Sequence, residues 1–148
     1  MIVKTMAGNE IPYAYAIASR SLDEQYLPDA FSFFMAQWPA GQLVAFDPST
    51  GVAGFLVGGR LSGNRASVAI LAVDALYRRN GLGDMLIEEF KKRAALEGRN
   101  IIQLEVRTSN LDAISFYEKR GFRKTELLRG LYNDGGDAAR MVLFSGMC

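Results

Sequence analysis

The apolar run Ala66 to Val73, "ASVAILAV", passes through Ala75-Leu76-Tyr77-Arg78-Arg79-Asn80-Gly81-Leu82-Gly83 into the amphipathic run Asp84 to Leu96. That succession limits the fold more than any other part of the chain. A proline-free stretch that is apolar at nearly every position reads as a strand buried on both faces. Leu82, Leu86, Phe90 and Ala94 recur at helical spacing, so the next segment reads as a helix with one apolar stripe. Glu88–Lys92 and Glu89–Arg93 form i,i+4 pairs on its wet side, each worth roughly 0.3–0.5 kcal/mol. Gly98 is placed to stop it.

The remaining segments fit around this unit. Ile2 to Met6 reads as a first strand, Ile11 to Arg20 as a helix, and Pro28 to Trp38 as an aromatic-rich helix with Pro28 near its start. Leu43 to Phe46 and Val52 to Val57 flank Asp47-Pro48-Ser49-Thr50-Gly51, which predicts a hairpin. Ile101 to Arg107 reads as a strand with Ile102, Leu104 and Val106 on one face. Asn110 can cap a short helix through Arg120, with Gly121 at its end and Phe122 making the apolar contact beyond it. Strands around Arg123–Leu128 and Ala138–Phe144 complete a mixed α/β (α+β) sheet. No repeat or linker divides the chain, so one domain over residues 1–148 is expected.

Composition excludes several function classes. A net charge of +1 argues against nucleic-acid binding through bulk charge. No apolar run is long enough for a bilayer-spanning helix, and the N-terminus lacks a signal-peptide core, so the expectation is a cytoplasmic protein with no membrane partner. Cys148 is the only cysteine, and there is no histidine. Serine–histidine and cysteine–histidine catalysis are excluded, as are most zinc sites, and no metal is expected. A general base must then be a carboxylate, a tyrosine, a lysine, a water or the substrate.

The junction Arg78 to Gly83 has two readings. It is a strand-to-helix turn, or it is a seat for a diphosphate. The second follows because the first turn of a helix leaves N–H groups unpaired, the dipole adds positive potential, and glycine lets a ligand approach the backbone. A P-loop is excluded, since no Gly-Lys-Ser/Thr follows. Asp84 suits a helix start but repels phosphate, so it is expected to point away.

"AVDALYRRNGLGDMLI", "LEVRTSNLDAISFYEKRGF" and "LRGLYNDGGDAARM" stand in this order. Together they resemble the GNAT acetyltransferase superfamily, in its RimI-type and archaeal N-terminal amine acetyltransferase branch. The resemblance covers Val44 to Met141 well. It implies the GNAT fold: a mainly antiparallel central sheet with a parallel strand pair at the cofactor site and helices on both faces. It implies acetyl-CoA as cosubstrate, with Leu71, Ala72 and Val73 on the pantetheine arm. Arg78, Arg79, Asn80, Gly81, Leu82, Gly83 and Asp84 fall at the pyrophosphate, and Asn110 near the thioester. Glu105 matches the general base and Tyr117 the general acid. Tyr26, Leu27, Asp29, Tyr132 and Asp137 match positions that receive a peptide. The implied partner is a protein or peptide N-terminus, a ribosomal protein among the candidates, with the enzyme a monomer or weak homodimer. The family's tyrosine pair is here Leu131-Tyr132, and its Glu-Asp-Ala reads Gly136-Asp137-Ala138.

The residues carry bland readings beside these. Glu105, between Leu104 and Val106, is either neutralised by Arg107 two positions on or kept as a base in buried surroundings. Tyr117 either packs with Ile114 or returns a proton to a thiolate. Phe31, Phe33, Phe34 and Trp38 are core by default, while Tyr26 to Asp29 fit a peptide groove in which Asp29 or Glu24 attracts an ammonium. Cys148 is a bystander. Direct transfer in a ternary complex follows, with the Val73 N–H polarising the thioester carbonyl. Two rivals remain: acetylation of a small amine or a lysine side chain, and a non-catalytic acyl-CoA-binding module.

Overall fold

Alternation of apolar residues at period two and at helical spacing sorts the chain into strands and helices on two sides of one sheet. The computed structural model describes residues 1–145 apart from 23, 25 and 27. The expected roles of Leu27 and Cys148 therefore lie outside the described residues. In order come β1 (Ile2–Thr5), α1 (Ile11–Ser21), α2 (Pro28–Gln37), β2 (Gln42–Asp47), β3 (Gly51–Arg60) and β4 (Arg65–Val73). They are followed by α3 (Leu82–Leu96), β5 (Ile101–Arg107), α4 (Leu111–Lys119), β6 (Arg123–Leu128) and β7 (Ala138–Phe144). The strands lie in the order β1-β2-β3-β4-β5-β7-β6. Every neighbouring pair is antiparallel except β4–β5, which is parallel. This is the mixed sheet that the sequence predicts, with the one parallel pair that the resemblance implies.

Helices cover both faces. Ala14, Ile17 and Phe31 of α1 and α2 pack on Val44, Phe55, Val57 and Ile70. Leu86, Phe90 and Ile114 of α3 and α4 pack on Leu43, Leu56, Ile102, Leu104 and Met141 of the other face. The stripe read on α3 is the buried one: Leu82, Leu86, Phe90 and Ala94 are all inside. On its wet side Glu89 pairs with Arg93 at 2.8 Å as expected, but Glu88 pairs with Lys91, at i,i+3, rather than with Lys92. Both spacings bring side chains together on a helix surface. The aromatic run on α2 is only partly core, because Phe31 is buried and Phe33 is 62% exposed.

The expectation for β4 needs correcting. Its residues alternate buried and half-buried, with Ser67, Ala69, Leu71 and Val73 on the more open positions. The cause is a bulge. Val57 pairs with Ile70 and Gly58 with Val68, so Ala69 has no partner on β3. A bulge of this kind bends the strand and adds twist. β4 accordingly pairs with β5 only through Arg65, Ala66 and Ser67. Beyond Ser67 the two parallel strands part, and the edge of β4 facing β5 stays open up to Val73.

Candidate functional site: a cleft through the parted strands

Three hollows run in series through the gap between β4 and β5. The first, of about 410 Å³, is walled by Leu71–Val73, Arg78, Arg79, the start of α3, and Phe116, Tyr117 and Arg120 of the α4 side. The second, of about 150 Å³, holds Glu24, Tyr26, Glu105, Arg107, Asn110, Tyr117 and Tyr132. The third, of about 450 Å³, opens between Glu24, Tyr26 and Arg107 on one side and Leu131–Asp134 on the other. The first and second share Leu71, Ala113 and Tyr117. The second and third share Glu24, Tyr26, Arg107 and Tyr132.

The first hollow is built largely from backbone. Asp74 N–H donates to Ala53 O of β3 at 2.8 Å. Successive amides of a strand point to opposite sides, so Val73 and Leu71 turn theirs to the open edge. The carbonyl of Val73 points the same way and accepts from Arg78 Nε at 3.3 Å. At the start of α3, Gly81 is the N-cap with φ +77, and no side chain caps the helix. Its first-turn N–H groups thus point into the hollow without a protein acceptor at the cap. Arg79, with φ +68, is the one non-glycine residue of positive φ among the described residues. Left-handed backbone in a non-glycine residue costs energy and recurs where a site needs it.

The two glycines of the junction do different things. A Cβ on Gly81 meets nothing within 4 Å, whereas one on Gly83 would lie 2.8 Å from the Phe116 ring. Gly81 supplies a dihedral; Gly83 lets α4 pack against the start of α3. Asp84, expected to point away from an anion, is bound to Arg120, whose guanidinium also lies 3.6 Å from the Phe116 ring centroid. Both Asp84 and Arg120 border the hollow.

Tyr117 stands at the junction of the first two hollows. Its ring is wedged between Phe116 and Phe122, with centroids at 5.2 and 5.5 Å. Burial pushes its phenol well above the usual range, with Tyr26 adding to the effect, so the hydroxyl keeps its proton. Packing and a place in the cleft are therefore not alternatives for this residue. Asn110 caps α4 by accepting the Ala113 N–H at 3.1 Å, and its side chain also borders the second hollow.

Glu105 reaches the second hollow, but neither its expected burial nor its expected partner holds. The residue is exposed. Its Oε2 accepts from Arg140 Nε at 2.9 Å and from Gln103 Nε2 at 3.2 Å. Glu105 lies directly opposite Arg140 in the β5–β7 register, and a cross-strand neighbour outcompetes a residue two positions along the same strand. Arg107 instead donates from Nε and Nη2 to both oxygens of Glu24, each at 2.7 Å, and from Nη1 to Asp134 at 3.1 Å. Those carboxylates, Glu24 foremost, raise its pKa further. Its guanidinium also lies 4.2 Å from the centre of the Tyr132 ring.

Tyr26 and Tyr132 both line the second and third hollows, and burial pushes the Tyr26 phenol up to about 12, with Glu24 and Tyr132 contributing. Asp29 and Asp137 border none of the three hollows. Asp29 is exposed in the first turn of α2, where a carboxylate suits the helix dipole. Asp137 Oδ1 accepts the Gly130 N–H at 2.9 Å and closes the β6–β7 loop. Asn80 likewise borders none of the three hollows. Phe116 and Arg120 also line the first hollow, which sequence reasoning misses because Phe116 packs on Gly83 and Arg120 pairs with Asp84, both far along the chain. Among the described residues no cluster of three or more histidine, cysteine, aspartate and glutamate side chains could hold a metal ion.

Residues 11–122 match the acetyltransferase (GNAT) family. N-alpha-acetyltransferase 30 of Schizosaccharomyces pombe is 29% identical over 148 aligned residues, covering 90% of this chain and 96% of its own. The crystal structure of Ard1 from Thermoplasma volcanium superposes with a TM-score of 0.93 at 32% identity, over 99% of this chain and 98% of that one. The ribosomal-protein-S18-alanine N-acetyltransferase of Escherichia coli superposes with a TM-score of 0.84 at 27% identity, over 99% and 95% of the two chains.

Proposed function

The chain belongs to the acetyltransferase (GNAT) family, and from that premise we propose that it transfers the acetyl group of acetyl-CoA to the N-terminal α-amine of a protein. One observation carries the reading: the hollow lined by unpaired amides and the hollow lined by carboxylates and tyrosines meet at Leu71 and Tyr117. A donor and an acceptor entering from opposite ends reach each other only there. The relative named N-alpha-acetyltransferase 30 supports the choice of amine.

The residues of the first hollow fit the donor. The uncapped amides of α3 and the side chains of Arg78 and Arg79 suit a diphosphate. The open edge of β4 suits an extended arm carrying amide groups, which adds to a strand edge as another strand would. Acetyl-CoA supplies an activated acyl carbon. The chain supplies the Val73 N–H, at the end of that edge, as a donor to the carbonyl oxygen that gains charge during attack. Glu105, fixed by Arg140 and Gln103, takes the amine's proton directly or through a water. Tyr117 keeps its hydroxyl proton and offers it to the departing sulfur. The new C–N bond forms as the C–S bond breaks, with no covalent intermediate on the protein.

Proton energetics favour the α-amine. Attack needs the neutral amine. At pH 7 deprotonation costs about 1 kcal/mol for an α-amine but about 4 to 5 kcal/mol for a lysine, from their ordinary pKa values. An exposed, arginine-paired carboxylate is a modest base that suits the smaller task. A panel of short peptides, free lysine peptides and small amines, read by mass spectrometry for the modified nitrogen, tests the proposal. Acetyl groups on peptide α-nitrogens are expected; turnover of small amines or lysine side chains alone overturns it.

A further inference from the structure

Arg107 occupies a position that its neighbours in sequence do not explain. It lies at the end of β5, yet its side chain satisfies one carboxylate before α2 and another in the β6–β7 loop. Glu24 lies 83 residues earlier and Asp134 lies 27 residues later. The guanidinium also faces the Tyr132 ring at 4.2 Å. Gly136 leaves it room: a Cβ there would lie 2.4 Å from Nη1. Asp134 itself accepts the Gly136 N–H at 2.9 Å, so the loop is folded around the same group.

We propose that Arg107 is the positioning residue of the acceptor end: it ties the segment between α1 and α2 to the β6–β7 loop and thereby fixes Tyr26 and Tyr132 around the entering amine. The proposal deepens the acetyltransferase reading and rests on it for the identity of the amine. It also bears on selectivity. A guanidinium already paired with two carboxylates is more than neutralised, so it offers little net attraction to a third. The acceptor end therefore offers no free cation from this residue to an acidic side chain on the substrate, although Arg107 borders both outer hollows. Peptides acidic at the second position are disfavoured for that reason.

The test compares wild type with Arg107→Lys and Glu24→Gln. Lysine keeps the charge but cannot bridge as the fork does, and a displaced binding wall is costly, so the peptide KM is expected to rise about tenfold. The KM for acetyl-CoA should stay within about twofold, because the partners of Arg107, namely Glu24, Asp134 and Tyr132, all lie at the acceptor end. Hydrogen exchange, measured without substrates, should quicken together at Glu24 and Tyr26 and in residues 129–137. Glu24→Gln frees part of the guanidinium and should improve turnover of peptides with Asp or Glu at position two relative to those with Leu. Unchanged exchange in both segments, or an equal rise in both KM values, overturns the tie. If both segments loosen in Arg107→Lys but wild type acetylates no amine in the panel, the acetyltransferase reading fails instead.

Discussion

From Leu71 to Asp84 the wall of the first hollow is a nearly continuous stretch of chain, presenting amides from a strand edge and from a helix start. The acceptor end is a set of side chains delivered by the α1–α2 connection, β5, α4 and the β6–β7 loop. A backbone site needs only local conformation, so it tolerates many side chains as long as the dihedrals are right. A side-chain site needs long-range pairs such as Glu24–Arg107, and each residue matters by identity. The first arrangement suits a ligand that is always the same. The second can be retuned for another acceptor by replacing a few loop residues.

Tyr117 belongs to both ends, and removing its hydroxyl should give the largest effect. Tyr117→Phe is expected to lower kcat by about 10²- to 10⁴-fold, the usual span for a positioned proton donor. Both KM values should move little, because the ring still packs between Phe116 and Phe122. The pH profile sharpens this. Burial raises the Tyr117 pKa, so its proton is retained where an exposed phenol loses it, near pH 10. The rate should rise as the α-amine loses its proton, about pH 7.7–8.0, and show no tyrosine-dependent fall before about pH 10. A falling limb below pH 9 that vanishes in Tyr117→Phe contradicts the raised pKa, and an unchanged kcat in Tyr117→Phe contradicts the donor role.

Glu105→Gln comes next, with kcat expected to fall about 10- to 100-fold at pH 7, the low end of general-base effects. The loss should shrink as the pH rises past the α-amine pKa, since free amine then no longer needs the carboxylate. A loss that is constant from pH 6 to 9.5 would make Glu105 a structural partner of Arg140 and nothing more.

The glycines of the junction separate geometry from packing. Gly83→Val drives a side chain into Phe116 and should cost about 1–3 kcal/mol of stability, the usual penalty for overpacking. Gly81→Val finds open space but must hold φ +77, so it should unwind the turn locally. An acetyl-CoA KM raised about tenfold with a smaller change in Tm is expected there, since loss of a preformed anion seat is felt by the ligand first. The reverse pattern in the two variants would break the contrast between the ends.

The same contrast explains what the sequence reveals. β4, α3 and the glycine junction are legible because hydrophobic periodicity and left-handed glycine are local signals. The parting of β4 from β5 is not, because a bulge at Ala69 arises from the pairing register with β3, and apolar residues look alike on either side of it. Glu105 stands out in an apolar strand, yet its partner is Arg140 across the sheet. The resemblance places Asp29 and Asp137 in the site, yet Asp29 sits in the first turn of α2 and Asp137 closes the β6–β7 loop. Arg107 carried a visible charge whose role depends on Glu24 and Asp134, which no spacing connects.

The smallest effect tests whether the diphosphate end is as independent of side chains as its geometry implies. Asp84 sits in the first turn of α3, bordering the hollow, and is held by Arg120. Its side chain is 52% exposed, and ion pairs this open contribute little to stability. Asp84→Asn removes a negative charge beside the proposed diphosphate and leaves Arg120 positive. The KM for acetyl-CoA should fall about two- to threefold at low salt and converge with wild type near 1 M salt, where the screening length is about 3 Å. Tm should drop slightly, because the helix start loses a favourable carboxylate. A rise in KM would mean that Asp84 aims Arg120 at the ligand. The diphosphate end would then depend on a pair 36 residues apart, as the acceptor end depends on Glu24 and Arg107.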